Sequence, residues 1–195
     1  MSTRDRMVDA AAEVMRARGL AHATTKEIAR AAGFSEAALY KHFRDKTELF
    51  LAVLAERTPG ALTKLLAGLG ERAGTDTVLR HLTDIARAAI EFYGHSFPMA
   101  ASLFAEPVLF AAHRAALRER NAGPQHVNDA VADYLAAEQL LGRVRPDADV
   151  RAATALLIGA CFQRAFLDHF TEPPADPVAV AASLAATVAA GIVAS

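Results

Sequence analysis

Cysteine is nearly absent. The chain of 195 residues has one, Cys161. A single cysteine excludes an intrachain disulfide, and no metal-ligand partners stand near it at a recognised spacing. Cys161 lies in an apolar run, which suits an inert buried thiol; the other reading is a redox sensor. The N-terminus lacks the uninterrupted apolar stretch of roughly 7–15 residues that a secretion signal needs, because Arg and Asp interrupt it. Also missing are a nucleophile–base pair, a Gly-rich phosphate loop and a cluster of metal ligands. No enzymatic activity, cofactor or metal is therefore expected. No segment alternates for long as a strand would, and no internal repeat stands out. Alanine is abundant, and Pro and Gly fall mainly where helices would end. The composition implies an all-α fold of a size that buries a substantial core.

Charge is present but segregated. The whole chain carries 21 Lys/Arg and 22 Asp/Glu, a net of −1. Residues 1–46 hold nine Lys/Arg against six Asp/Glu, and residues 47–195 hold twelve against sixteen. A basic end on an acidic body is an electrostatic footprint suited to phosphates.

The basic end is also the most patterned. A first helix is expected from about Thr3 to Arg18. Met7, Ala10, Ala11, Val14 and Met15 lie on one face, and Gly19 ends it. Thr24 and Glu27 form a capping box, so a second helix starts at Thr25. Ile28, Ala29 and Ala32 share its inner face. Gly33 follows in a position that favours a left-handed turn. Ser35 caps a further helix through Phe43, with Leu39 and Phe43 inward and Glu36, Ala37, Tyr40 and Lys41 on or beside the opposite face. Asp45 and Glu48 cap the next one. Helix, short turn, helix is the helix-turn-helix geometry, whose second helix enters a DNA major groove. The alternative for the spacing alone is an αα-corner in some helical domain.

Arg6, Ala10-Ala11, Val14, Gly19, Thr24-Thr25, Ile28-Ala29, Ala32-Gly33, Ser35, Leu39-Tyr40, His42-Phe43, Lys46 and Leu49 together resemble the N-terminal domain of TetR-type transcriptional regulators. The resemblance runs from about Arg4 to Phe50. The rest of the chain fits that family in length and helical layout only. The resemblance implies an N-terminal three-helix DNA-binding domain, residues 1–46, and a larger helical domain for ligand binding and dimerisation, residues 47–195. It implies that Thr25 and Lys26 touch phosphates. Tyr40, His42 and Lys46 match backbone-contacting positions, and Glu36, Ala37 and Lys41 are placed to face base edges. A Tyr hydroxyl, a helix N-terminus and a Lys are chemically suited to phosphate. Ala38 departs from the Thr or Ser common there. Glu36 has two readings: it accepts from a cytosine amino group, or it only favours the helix N-terminus. His42 is either a backbone contact or a packing residue beneath Phe43.

Past residue 46, punctuation divides the chain. One helix is expected from Thr47 toward Leu69, bent or interrupted at Pro59-Gly60. Another is expected from Asp76 to Tyr93-Gly94, then an irregular segment from His95 to Phe104 with one short helix. Further helices follow from Pro107 to about Asn121, from Pro124 to Leu141, from an Asp147 cap to about Phe170, and from Pro177 to Ile192. Residues 152–167 are apolar almost all round, which calls for cover on two sides. A two-fold partner is the economical cover, and a central core helix in a monomer is the alternative. The resemblance implies a four-helix dimer interface from Pro124–Leu141 and Asp147–Phe170. Candidate interface residues are Val127, Val131, Tyr134, Leu135, Leu156, Ile158 and Phe162. Arg164 and Asp168 argue against a membrane span there. Aromatics cluster mid-chain, and the resemblance implies that the central helices enclose an apolar effector pocket. Its candidates are Phe92, His95, Phe97, Met99, Phe104, Phe110, His113 and Phe166.

The expected function is that of a cytoplasmic, homodimeric regulator of transcription. It binds a palindromic double-stranded DNA operator and is released by a small apolar effector, with activation as the alternative to repression. Two rivals are an enzyme with an appended DNA-binding domain and an architectural DNA binder without a ligand.

Overall fold

The computed structural model describes every residue except Ala21, Thr58, Pro59, Asn121 and Ser195. The break expected at Pro59 and the helix end expected at Asn121 lie outside the described residues. Among the described residues the chain forms ten α-helices and no strand. They are α1 Thr3–Arg18, α2 Thr25–Ala32, α3 Glu36–Leu39, α4 Lys46–Glu56, α5 Ala61–Ala67, α6 Val78–Phe104, α7 Pro107–Glu119, α8 Pro124–Leu140, α9 Val150–Leu167 and α10 Pro177–Ile192. The all-α expectation holds.

The chain divides into two compact units, Met1–Thr58 with Ser96–Asn121, and Pro59–His95 with Ala122–Ser195. The first unit buries Met7, Ala11, Ile28, Leu39, Phe43, Leu49 and Phe50, together with Leu103 and Leu109. It extends beyond residue 46, because Leu49, Phe50 and Val53 of α4 lie in the same core as α1–α3. The second unit buries Leu82, Ile85, Val131, Tyr134, Leu135, Leu157, Cys161, Ala181 and Ala185. In that unit the turn after α8 is tied to the C-terminal end by a lone antiparallel bridge between Val144 and Val193.

Several helix ends differ from expectation. At α1, Ser2 and Asp5 make a reciprocal capping box, each side chain taking the other's backbone N–H at 3.1 and 2.9 Å. At α2, only half of the expected box forms: Thr24 Oγ1 accepts from the Glu27 N–H at 3.2 Å. The Glu27 carboxylate takes the Thr24 hydroxyl and Arg18 in place of the Thr24 N–H. The helix after Ser35 is short. Its four residues end at Leu39, and the chain continues as a turn in which Phe43 N–H still reaches the Leu39 carbonyl at 3.1 Å.

The helix α6 runs unbroken for 27 residues with Pro98 inside it, where a break at Tyr93-Gly94 was expected. Proline removes one ladder bond and crowds the carbonyl four residues back. That residue is Gly94, which brings no side chain to the crowded spot. The Ser102 hydroxyl donates to the Pro98 carbonyl at 2.9 Å. Buried Leu82, Ile85, Ala86, Ala89, Ile90 and Leu103 hold the helix along its length. At α9 the cap is Asp149, whose Oδ1 accepts from the Arg151 and Ala152 N–H groups at 3.0 and 2.9 Å. The expected cap, Asp147, is paired instead with Arg145 at 3.3 Å. Along α10 the most deeply buried line is Ala181, Ala185 and Ala189, while Val180, Leu184 and Val188 pack at its flanks. Val150–Phe170 is long and apolar enough to cross a membrane by length and composition alone. Its Ala153, Leu157, Cys161 and Ala165 are buried in the core of the second unit, and its Arg164 pairs with Asp168.

Candidate nucleic-acid interface

The turn between α2 and α3 is built from three devices. Gly33 sits at φ 78°, ψ 29°, and a Cβ there would meet Arg6 Nη2 at 3.4 Å. Phe34 N–H returns to the Ala29 carbonyl at 2.8 Å, closing the helix end. The Ser35 hydroxyl accepts from the Ala38 N–H at 3.2 Å and starts α3. Leu39 and Phe43 anchor the far side, both fully buried. This leaves Ala37, Tyr40, Lys41 and His42 exposed and Glu36 half-buried. Lys26 is exposed on α2. Lys46, half-buried at the start of α4, holds its Nζ 5.0 Å from the centre of the Phe50 ring. It also lines a shallow hollow of about 100 Å³ with Leu20, Thr47, Phe50, Glu106, Val108 and Leu109.

His42 is exposed, so its alternative reading as a packing residue beneath Phe43 falls. The face over Phe43 is taken by Arg4, whose guanidinium carbon is 5.3 Å from the ring centre. Thr25 is buried, and its hydroxyl donates to Glu36 Oε1 at 2.6 Å. The Tyr40 hydroxyl lies 3.3 Å from the same Thr25 oxygen. Neither reading of Glu36 from the sequence included this partner.

Part of the positive charge of residues 1–46 is engaged within the protein. Arg4 grips Glu56 through two bonds of 2.9 and 2.6 Å. That pairing raises the Arg4 pKa and holds the Glu56 carboxyl below its ordinary range. Arg6 donates to the Ala32 carbonyl at 3.1 Å, a cation at a helix C-terminus, and lies over the Phe34 ring. Arg18 is held by Glu27. These three arginines brace the domain. The outward cations beside the recognition helix are Lys26, Arg30, Lys41 and Arg44, of which Arg30 and Arg44 were not singled out in the sequence.

The candidate interface residues separate into two sets. Val127, Val131, Tyr134, Leu135 and Ile158 are buried in their own protomer's core, so they are corrected from surface to interior. The apolar periodicity of α8 reads inward for that reason. Tyr134 is held there by a 2.8 Å bond between its hydroxyl and His81 Nδ1. Burial and the neighbouring Glu138 push the Tyr134 pKa far up, and burial pushes that of His81 down. Leu156 and Phe162 are on the surface, at 69% and 46% exposure. A groove of about 460 Å³ runs between α9 and α10, lined by Ala152, Leu156, Leu157, Ala160, Leu184, Thr187, Val188 and Gly191 among others.

The effector candidates also divide. Phe92, His95 and Phe166 belong to the second unit, and Phe97, Met99, Phe104, Phe110 and His113 to the first. In the second unit Phe92 meets Tyr93 edge-on at 5.4 Å, and Tyr93 meets Phe162 at 5.4 Å. Phe166 meets Phe170 at 5.0 Å. Tyr93 belongs to the same mid-chain aromatic cluster but is not among the pocket candidates. His95 is exposed and its Nδ1 bonds the Glu91 carbonyl at 3.1 Å. In the first unit Phe104 and Phe110 lie 5.0 Å apart, with Phe104 at 71% exposure. Burial lowers the His113 pKa. Phe97 and Met99 are half-buried.

Residues 7–53 match the family described as bacterial regulatory proteins, tetR family. Over 55 residues the chain is 51% identical to the HTH-type transcriptional regulator SrpR of Pseudomonas putida, a match covering 28% of this chain and 26% of SrpR. Residues 7–53 are thus similar to the N-terminal domain of the tetR family. The chain spans about a quarter of that relative's length, 26%. Across nearly its whole length the fold is similar to that of two solved regulators. A structure from Mesorhizobium loti described as a TetR-family transcriptional regulator superposes with a TM-score of 0.76 at 18% identity, covering 98% of this chain and 97% of that one. The transcriptional regulator FadR from Bacillus subtilis, in complex with stearoyl-CoA, superposes with a TM-score of 0.71 at 17% identity, covering 96% and 98%. The TetR family match ends near Val53, so the larger second unit is related to these structures through fold.

Proposed function

We propose that this chain is a DNA-binding transcriptional regulator acting in the cytoplasm as a homodimeric repressor, released from a palindromic operator by a small apolar effector. The observation that carries the reading is the recognition surface itself. Leu39 and Phe43 hold α3 from beneath, while Ala37, Tyr40, Lys41 and His42 stand outward beside Lys26. On this reading Lys26, Tyr40, His42 and Lys46 meet the phosphate backbone with their side chains, Thr25 meets it through its backbone N–H at the start of α2, and Ala37 and Lys41 face base edges. Ser35, exposed at the start of α3, caps that helix through its hydroxyl and is a further candidate contact to DNA.

Dimerisation is assigned to α9 and α10, not to α8. Ala152, Leu156, Gly159, Gln163 and Leu167 form the exposed face of α9, and Ala179, Ala182, Ser183, Ala186, Ala190 and Gly191 are exposed on α10. Small residues let helices approach closely, and an uncovered apolar helix face needs a partner. A two-fold axis there gives two recognition helices, expected roughly 34–36 Å apart, facing successive major grooves.

An apolar effector is supported by the aromatic group of Phe92, Tyr93 and Phe162 in the second unit, with the Phe166–Phe170 pair in the same unit, and by the stearoyl-CoA that B. subtilis FadR holds. Phe97, Met99, Phe104, Phe110, His95 and His113 are the further positions to substitute. Release requires only that the ligand prefer the conformation that does not fit DNA.

Selection from random DNA with the purified protein tests the reading. A palindromic site is expected, together with an apolar compound, acyl-CoA thioesters being the first tried, that weakens binding and raises Tm. Binding to all DNA alike would favour an architectural protein. Turnover of a screened substrate would favour an enzyme.

A further inference from the structure

We infer that Glu36 is a positioning residue of the recognition surface, acting through Thr25 and Tyr40, and that it does not read a base. The inference rests on the DNA-binding reading above. A carboxylate only accepts, and a threonine hydroxyl carries one hydrogen. The 2.6 Å contact therefore sends the Thr25 hydrogen to Glu36 Oε1. The 3.3 Å contact must then be donated by the Tyr40 hydroxyl into Thr25 Oγ1. The chain of donation runs from Tyr40 to Thr25 to Glu36.

This order has mechanical and chemical consequences. The helix α3 has four residues, too few to hold its own direction. Leu39 and Phe43 fix it from beneath. On its outer side, Glu36 at its start and Tyr40 at its end converge on one hydroxyl of α2. The two ends of the recognition helix are thus clamped to the helix that precedes it. Thr25 is 9% exposed and its bond to a carboxylate is short, so it stays closed. Tyr40 is 47% exposed and its bond is long, so its hydrogen is the one released to an incoming phosphate. Glu36 Oε1 is already committed within the protein.

The test is a double-mutant cycle on Glu36→Ala and Thr25→Val, read as affinity for the selected operator, with base preference redetermined for each variant. Removing the Glu36 charge near phosphates affects both backgrounds alike and cancels in the cycle. The expected result is a coupling of about tenfold: Glu36→Ala is less favourable by that factor in the parent than in Thr25→Val. Glu36→Gln retains an acceptor oxygen and restores the coupling, and base preference is the same throughout. Equal effects of Glu36→Ala in both backgrounds, or a changed preferred base in Glu36→Gln, overturn the inference while leaving DNA binding in place. A parent protein that selects no DNA overturns the reading beneath it. Far-ultraviolet circular dichroism identifies a variant that fails to fold, and the Gln variant then carries the comparison with Thr25→Val.

Discussion

Tyr40 and Lys46 differ in how they are held, and the difference predicts distinct losses. Tyr40 carries its hydroxyl on an exposed ring, already polarised by Thr25. Lys46 projects from the first turn of α4 along the Phe50 ring, which limits its freedom before any phosphate arrives. Tyr40→Phe and Lys46→Ala should both weaken binding to every sequence, since phosphate contacts carry no base information. Lys46→Ala should also lower the slope of log affinity against log salt by about one, whereas Tyr40→Phe removes no charge. Titrations at several salt concentrations separate the two, and unchanged affinity in both would sink the docking described above. Cys161 gives a prediction of another kind. Burial pushes its thiol from 9.0 up to about 12. The folded chain therefore keeps the proton after the unfolded chain has lost it. Stability from this group is whole below about pH 9 and falls as pH rises toward about 12. Urea unfolding followed upward from about pH 8 should fall less steeply in Cys161→Ala than in the parent. Rapid alkylation of the native protein near neutral pH would support the redox reading instead.

At the scale of elements, the local signals that read true were those whose physics is complete within a few residues. Ser35 as a cap, Gly33 in a left-handed turn, and Pro177 opening α10 need no tertiary partner. Signals that failed depended on distant groups. Pro98 and Gly94 read as a break because each alone disfavours a helix, yet α6 continues through both, with buried side chains on either side of them. The Glu27 half of the capping box was drawn off by Arg18, nine residues away. The exposed face of α3 was legible nearly residue by residue, but the Thr25–Glu36 contact was not, because it joins two helices across eleven positions. The inner face of α8 was misassigned because apolar periodicity states that a face is covered without naming what covers it. The cap of α9 offers a direct check. Asp147 and Asp149 are two residues apart and chemically identical, so sequence favours neither strongly. Asp149 satisfies two orphan N–H groups, and Asp147 makes one exposed ion pair. Asp149→Ala should cost about 1 kcal/mol. Asp147→Ala should cost under about 0.5 kcal/mol. Denaturant midpoints at unchanged slope measure both, and the reverse ranking would move the cap back to Asp147.

Among the described residues of the whole molecule, most exposed large apolar side chains lie on the second unit. Leu156, Leu167 and Phe170 of α9 and the turn after it are between 41% and 74% exposed. Single exposed apolar residues are ordinary, but several along one helix face beside a groove mark an interaction surface. Leu156 is the sharpest probe, because it is 69% exposed and lines that groove. Its substitution removes little from the protomer's own core. Leu156→Glu should therefore leave the fold of each protomer intact, with its helical circular dichroism preserved. In a two-fold packing of α9 and α10 it brings two carboxylates toward an apolar seam, where an unpaired charge is costly. Light scattering at micromolar concentration should then report a monomer where the parent is a dimer. Operator binding should fall by two orders of magnitude or about that, since one protomer grips one half-site and loses the gain from linked binding. Binding to an isolated half-site should change little, which separates loss of pairing from damage to the recognition helix. A Leu156→Glu protein that remains a dimer would place the two-fold axis on another face, and a parent protein that is monomeric at that concentration would remove it altogether.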